Sequence, residues 1–196
     1  MKMVYTTHPR YFPEKTIELG TFNVDSGKLV VSDPCYSPGT WCAGALGNVK
    51  NGIWKGFVQK GKTDWGNRCW SVQAVHLDHY SQNMGFSEKT DITVGVDSGQ
   101  AGIYDVAKFG GGQDEYGDGG WYDNACETTL SALGAGVLDG GVVSSSGFGD
   151  GAYDCYVSRD NSGQIVGVKV VFIRIEDFIE DYDDFEQDDE EFDDDM

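Results

Sequence analysis

Val24-Asp25-Ser26-Gly27-Lys28-Leu29-Val30-Val31-Ser32-Asp33 and Val96-Asp97-Ser98-Gly99-Gln100-Ala101-Gly102-Ile103-Tyr104-Asp105 are two copies of one pattern, V-D-S-G, five residues, then an aspartate. Asp accepts a hydrogen bond from a backbone N–H two residues on, and Gly takes a positive φ at no steric cost. Apolar, β-favouring residues precede each turn (Phe22 and Val24; Ile92, Val94 and Val96) and follow it (Leu29-Val30-Val31; Ile103-Tyr104). The pattern therefore predicts a strand, a tight hairpin turn and a second strand, twice. Each second strand delivers an aspartate, Asp33 or Asp105, at its far end. A charge beside apolar residues needs a partner or a use. Asp160-Asn161-Ser162-Gly163 is a looser third echo, with the same turn chemistry and no terminal aspartate.

Outward from the repeat, more strands follow. Residues 15–24 and 28–32 form the first hairpin, 53–60 and 68–77 two more strands, and 91–97 and 101–106 the second copy. In 68–77, Trp70, Val72, Ala74 and His76 share one face, and neither face is purely apolar. Tyr122, Cys126, Thr129 and Leu133 fall at helical spacing, predicting one helix over 121–133 with Gly134 past its end. Val142-Val143, strand 152–158 and the nearly continuous apolar run 164–175 complete the set. The last run belongs in the centre of a sheet, buried on both faces. Local connections and a single helix give a mainly β fold, an antiparallel β-sandwich or partly closed barrel with one packed α-helix.

Length and charge set the domain plan. The 196 residues contain 28 glycines and four prolines, which suits many turns and no helical bundle. The formal net charge is −19, but residues 176–196 hold 14 acids and no Lys or Arg, leaving the rest near −5. The expected organisation is an N-terminal arm (1–13), one β-rich domain (14–175) and a disordered acidic tail (176–196) with Phe178, Tyr182, Phe185 and Phe192 interleaved. No basic patch appears, so direct nucleic-acid binding by the body is not expected. Five cysteines without a framework spacing point to free thiols in a reducing compartment. The N-terminus lacks the apolar core of a signal peptide, and no run is long enough for a membrane span. The expected setting is cytoplasmic; oligomeric state is left open.

Two polar loops carry the candidate chemistry. Ser32-Asp33-Pro34-Cys35-Tyr36 and Tyr153-Asp154-Cys155-Tyr156 both combine Asp, Cys and Tyr. Together with Asp105, Ser144, Ser145, Ser146 and Asp150 they form one polar cleft if the repeat halves face each other. The candidate ligand set is Asp33, Cys35, Tyr36, Asp105, Ser144, Ser145, Ser146, Asp150, Asp154 and Tyr156: carboxylates and hydroxyls for a sugar or nucleoside edge, aromatics for stacking. The competing explanation is ordinary turn capping and buried thiols. A cysteine nucleophile at Cys35 or Cys155 needs a histidine in reach, and His8, His76 and His79 have no recognised spacing from either. His76 and His79 lie three apart, on opposite faces of a strand unless a turn begins at Asp78. No Cys-x2–4-Cys pair exists, and the glycine-acid loop 110–120 lacks the ligand order of a calcium-binding helix-loop-helix. No metal and no cofactor are expected.

Ser-Asp-Pro-Cys-Tyr at 32–36, Val-Asp-Ser-Gly-Gln-Ala-Gly at 96–102, Trp-Tyr-Asp-x2-Cys at 121–126 and Ser-Ser-Ser-Gly-Phe-Gly-Asp-Gly at 144–151 occur in order. They resemble an uncharacterised family of bacterial and bacteriophage proteins, a domain of unknown function, over roughly residues 20–173. The resemblance implies a phage or bacterial cytoplasmic origin and brings no activity and no residue roles with it. The leading expectation is a non-enzymatic accessory protein that binds a host protein or a small polar ligand through the polar loops. The acidic tail would serve as partner contact or nucleic-acid mimic. The alternatives are a hydrolase or transferase on a nucleotide or glycan, using Asp33, Asp105 or Asp150 as paired carboxylates, and a minor virion or structural protein.

Overall fold

A computed structural model describes residues 12–81, 85–112, 117 and 119–176. Two antiparallel sheets pack face to face, with one helix on the outer side of the smaller sheet. The larger sheet contains β1 (Phe12–Val24), β4 (Gly52–Thr63), β5 (Gly66–His76), β11 (Ile165–Val171), β10 (Gly151–Arg159) and β6 (Glu88–Val96), in that order. The smaller contains β3 (Gly44–Leu46), β2 (Leu29–Ser32), β7 (Gln100–Asp105), β9 (Gly141–Ser145) and β8 (Ala135–Leu138). The sheets stay open, so the architecture is the sandwich rather than the barrel. Helix α1 spans Trp121–Thr129 and ends four residues earlier than the spacing predicts, with Leu130 as C-cap.

The core lies between the sheets. Trp54, Val58, Val72, Val168 and Val170 from the larger sheet meet Leu29, Val31, Ile103 and Val142 from the smaller. A second cluster of Val30, Tyr104, Phe109 and Val143, joined by Trp121 and Leu138, sits beneath α1. Strands β2 and β7 are consequently buried on both faces along their whole length. The apolar run after Gln164 is central as expected, although its strand stops at Val171.

The V-D-S-G turns are not hairpins. Strand β1 pairs with β4, and β2 pairs with β3 and β7; β6 pairs with β10, and β7 with β2 and β9. Each turn instead carries the chain from an edge strand of the larger sheet into the middle of the smaller one. The third echo, Asp160 to Gly163, is a true hairpin turn joining β10 and β11. There Asp160 caps its own turn, its Oδ1 accepting from the N–H groups of Ser162 and Gln164.

The repeat extends through the whole fold. Val31 pairs with Ile103, its equivalent in the other copy, so a local two-fold axis passes through that pair. Around it the larger sheet is symmetric by equivalence: β1 matches β6, β4 matches β10, and β5 matches β11. Val24 lies opposite Gly52, and Val96 opposite Gly151. The Val49 N–H donates to the Gly27 carbonyl at 3.0 Å, and the Ser146 N–H donates to the Gly99 carbonyl at 3.0 Å. The second half differs by an insertion, α1 and β8, between β7 and β9. The last two residues of the expected arm 1–13, Phe12 and Pro13, already belong to β1, where they pair with Lys62 and Gly61; residues 1–11 and the acidic tail after Glu176 lie outside the described residues. Among the described residues, no helix is long and apolar enough to cross a membrane.

Candidate functional site

The terminal aspartates hold each other's turns. Asp33 Oδ2 accepts from the N–H groups of Asp97 (2.8 Å) and Ser98 (2.7 Å), and its Oδ1 from Ser98 Oγ (2.6 Å) and its own Cys35 N–H (2.9 Å). Asp105 Oδ2 accepts from the N–H groups of Asp25 (2.5 Å) and Ser26 (3.1 Å), and its Oδ1 from its own Ala107 N–H (2.7 Å). The β2–β7 register places Asp105 opposite Leu29, just beyond the first turn, and the symmetry does the same for Asp33. Both carboxylates are fully buried. Burial opposes ionisation of Asp105, but the hydrogen bonds from Ser26, Asp25 and Ala107 outweigh it and leave its pKa below the usual carboxylate value.

The remaining expected residues divide. Cys35 and Tyr36 lie beside Asp33 and Asp97. Burial pushes the Cys35 thiol up to about 12, helped by the Asp33 carboxylate, so it is no thiolate nucleophile. Burial likewise takes the Tyr36 and Tyr122 phenols up to about 12, and the Cys155 thiol, deep in the core, also to about 12. Ser144 and Ser146 are buried, and their hydroxyls donate to the Ser145 and Gly149 carbonyls. Ser145 Oγ approaches Cys69 Sγ at 3.2 Å. Asp150, at the surface, accepts from the Gly99 N–H at 3.1 Å. These groups are committed to turns and packing: Asp33, Cys35, Tyr36, Ser146 and Asp150 gather around the Asp97–Gly99 turn, whereas Asp105 lies at the other turn.

Asp154 and Tyr156 lie elsewhere, on the outer face of the larger sheet. Asp154 Oδ2 is held by Lys89 Nζ at 2.8 Å and by Arg174. Strand alternation sends Phe57, Gln73, Val75, Lys169 and Tyr156 to this face, opposite the core residues Val58, Val72, Ala74 and Val168. The register aligns Glu18, Phe57, Gln73, Lys169, Tyr156 and Lys89 in one row across all six strands. Of the segment between β5 and β6, residues 80–81 and 85–86 rest on this face: Tyr80 stacks on Phe57 (5.1 Å, 11°), and Ser158 Oγ donates to the Gly85 carbonyl.

Between that segment and the sheet is a cavity of about 320 Å³, lined by Thr16, Glu18, Phe57, Gln73, Val75, Tyr80, Ser81 and Phe86. Lys55 Nζ bonds Glu18 at 3.0 Å and lies 5.1 Å from the centre of the Tyr80 ring. Behind it, Gln73 Nε2 donates to Ser71 Oγ (3.1 Å), which donates to Gln59 Oε1 (3.3 Å). Hydroxyl, carboxylate and amide groups beside two stacked rings suit a small polar molecule with one apolar face. None of the ten expected residues lines this cavity. Its trace in the sequence is slight: Ser71 and Gln73 interrupt the run Trp70 to Val75 of β5. Two further depressions flank α1, one of about 430 Å³ between the helix and β8 (Trp121, Asn124, Thr128, Leu138), and both are more open to solvent.

His76 ends β5 and a 3₁₀ turn follows over 77–79, bringing the His76 and His79 rings to 5.6 Å. His76 Nε2 contacts the Asn51 carbonyl, and its Nδ1 accepts from the Asp78 N–H. His79 Nε2 lies 2.8 Å from Lys50 Nζ. Among the described residues, no group of three His, Cys, Asp or Glu side chains is placed to hold a metal ion. All five cysteines are free thiols. No protein-family model matches this chain, and comparison with curated proteins and with solved structures yields no match.

Proposed function

We propose that this protein is a non-enzymatic binding protein that takes a small polar ligand, of saccharide or nucleoside size, on the outer face of its larger sheet. The cavity between Phe57, Gln73, Tyr80 and Phe86 carries the reading. The chemistry expected of the polar loops, hydroxyl and carboxylate groups beside aromatic rings, occurs there instead. A hydrolase or transferase with paired carboxylates is disfavoured. Asp33 and Asp105 are buried with their oxygens committed to backbone N–H groups, and Asp150 lies at the surface against Gly99. We place this role, on the motif resemblance alone, in the cytoplasm of a bacterium, native or phage-infected.

Amide NMR of the full chain titrated with a panel of monosaccharides and nucleosides tests the proposal. Saturable shifts at Gln73, Tyr80, Ser81 and Phe86 are expected. Tyr80→Ala and Gln73→Leu should each weaken binding about ten-fold or more, the worth of one lost stacking or hydrogen-bonding partner, while circular dichroism still shows a folded chain that melts a few degrees lower. Shifts confined to residues 33–36 and 144–156 would return the site to the loops. The acidic segment 176–196 is assigned a second contact, with a protein partner, on its charge alone. Pull-downs with and without it, at low and high salt, decide that part: equal recovery refutes it.

A further inference from the structure

Two open sheets have four edge strands, and an edge strand presents unpaired backbone groups to any segment that can add to it. Three of the four edges are blunted. β1 carries Glu14, Lys15 and Glu18 and two register shifts, and β6 carries Glu88, Lys89 and Asp91 and one. β3 is three residues long, and its Gly44 lies against the Ile92 side chain. β8 differs. Ala135-Gly136-Val137-Leu138 has no charge, no proline and no register shift against β9, and its other edge carries no strand among the described residues. Helix α1 stands beside it, with Thr128 Cγ2 2.6 Å from where a Gly136 Cβ would be. The depression of about 430 Å³ between them therefore has a helix face as one wall (Trp121, Asn124, Glu127) and an edge strand with its turn as the other (Val137, Leu138, Asp139). Glu127 is exposed and has no ion pair among the described residues, while Asp139 is 81% exposed and bonds Lys108 at 3.0 Å. Asp123 borders the adjoining depression, which shares Asn124 and Glu127.

We propose that β8 and α1 form a docking groove for an extended, basic segment of a partner protein, which adds to β8 as a further strand. Backbone pairing with the free edge supplies affinity without demanding a particular sequence, and the side chains of alternate residues supply the choice of partner. Those on the helix side meet Glu127 and the Trp121 ring. A lysine or arginine there gains a carboxylate and an aromatic neighbour together. Three carboxylates, Asp123, Glu127 and Asp139, border the two depressions against the single ammonium of Lys108, so the rim favours a cationic visitor and repels an acidic one. The whole chain, at −19, draws the same kind of partner from a distance. The groove lies across the sandwich from the cavity on the larger sheet, and the inference does not depend on that cavity.

The test is amide NMR of the full chain titrated with short capped peptides that alternate lysine and threonine, and with the same peptides carrying glutamate for lysine. The lysine peptide should give saturable shifts at Gly136, Val137 and Leu138, along Asn124 to Thr128, and at the Trp121 indole N–H. The glutamate peptide should bind about ten-fold or more weakly, because like charges then face each other. Glu127→Gln, at an exposed position, should weaken the lysine peptide roughly two- to five-fold, the worth of one surface ion pair, without moving the melting temperature. Two further lysine peptides, N-methylated on the odd or on the even residues, read the backbone. One of them should lose binding about ten-fold or more, since only alternate N–H groups face β8. If both methylated peptides bind like the parent, no strand is added and the proposal falls. Equal affinity for lysine and glutamate peptides overturns the basic partner, and shifts elsewhere only, or none, overturn the groove. Shifts at β8 that grow with protein concentration, with no peptide present, would give the edge to a second copy of this chain and overturn the proposal as well.

Discussion

Asp33 accepts four hydrogen bonds and Asp105 three, all from backbone or hydroxyl donors inside the fold. An asparagine at either site turns an accepting oxygen into an NH₂ that faces N–H donors. Asp33→Asn and Asp105→Asn should each destabilise by roughly 2–4 kcal/mol in urea unfolding at neutral pH. The pH dependence has a fixed sign. The pKa of Asp105 is lowered in the folded state, so its contribution is complete above the unfolded-chain value of about 3.9. It is lost as the pH falls through the lower folded value. Part of the acid destabilisation of the parent should therefore be missing in Asp105→Asn, and identical acid profiles would contradict the assignment. Cysteine chemistry belongs to the same scale. With its thiol held near 12, Cys35 should alkylate far more slowly at neutral pH than a free thiol, despite partial exposure. Rapid iodoacetamide labelling of the native protein at Cys35 would show the thiolate to be accessible after all.

Strands β6 and β1 meet their neighbours closely, and glycines permit it. A Cβ on Gly95 would lie 2.5 Å from Cys42 Cβ, where the Gly95 N–H donates to the Cys42 carbonyl. Gly95→Ala should cost about 1–3 kcal/mol, the usual range for overpacking, because β6 or the 33–43 loop must shift. Chemical denaturation reads this directly, and an unchanged midpoint would mean that the loop yields freely. The elements themselves were unequally legible. The 164–175 run and the 68–77 alternation reveal β11 and β5 because apolar continuity and period are local properties. β3 (Gly44–Leu46) and β8 (Ala135–Leu138) are three and four residues long and contain glycine, too little for any period to register. The V-D-S-G turns mislead for a different reason. Their chemistry matches the Asp160–Gly163 hairpin, and what separates them is the distant partner of the strand that follows. The cavity was hidden likewise, since Phe57, Gln73 and Tyr80 become neighbours only through sheet register and a returning segment.

Across the whole molecule, the duplication interlocks the halves rather than setting two domains side by side. Each sheet is closed at its centre by a pair drawn from both copies, β5 with β11 and β2 with β7. Each copy's terminal aspartate holds the other copy's turn, and the main core draws on both. A half alone would leave β2 and β5 as exposed inner edges, the first turn without Asp105, and the second-copy side of its core open to water. Unfolding should therefore be one cooperative transition, with tryptophan fluorescence and far-ultraviolet circular dichroism coincident in urea under reducing conditions. A chain ending after residue 81 should be unfolded by circular dichroism. Two resolved transitions, or a folded first half, would mean that the interlocked aspartates decorate domains already stable by themselves. Coincident curves for the parent that separate in an Asp33→Asn, Asp105→Asn double variant would locate the coupling in those two side chains, because the β2–β7 ladder is untouched by the substitutions.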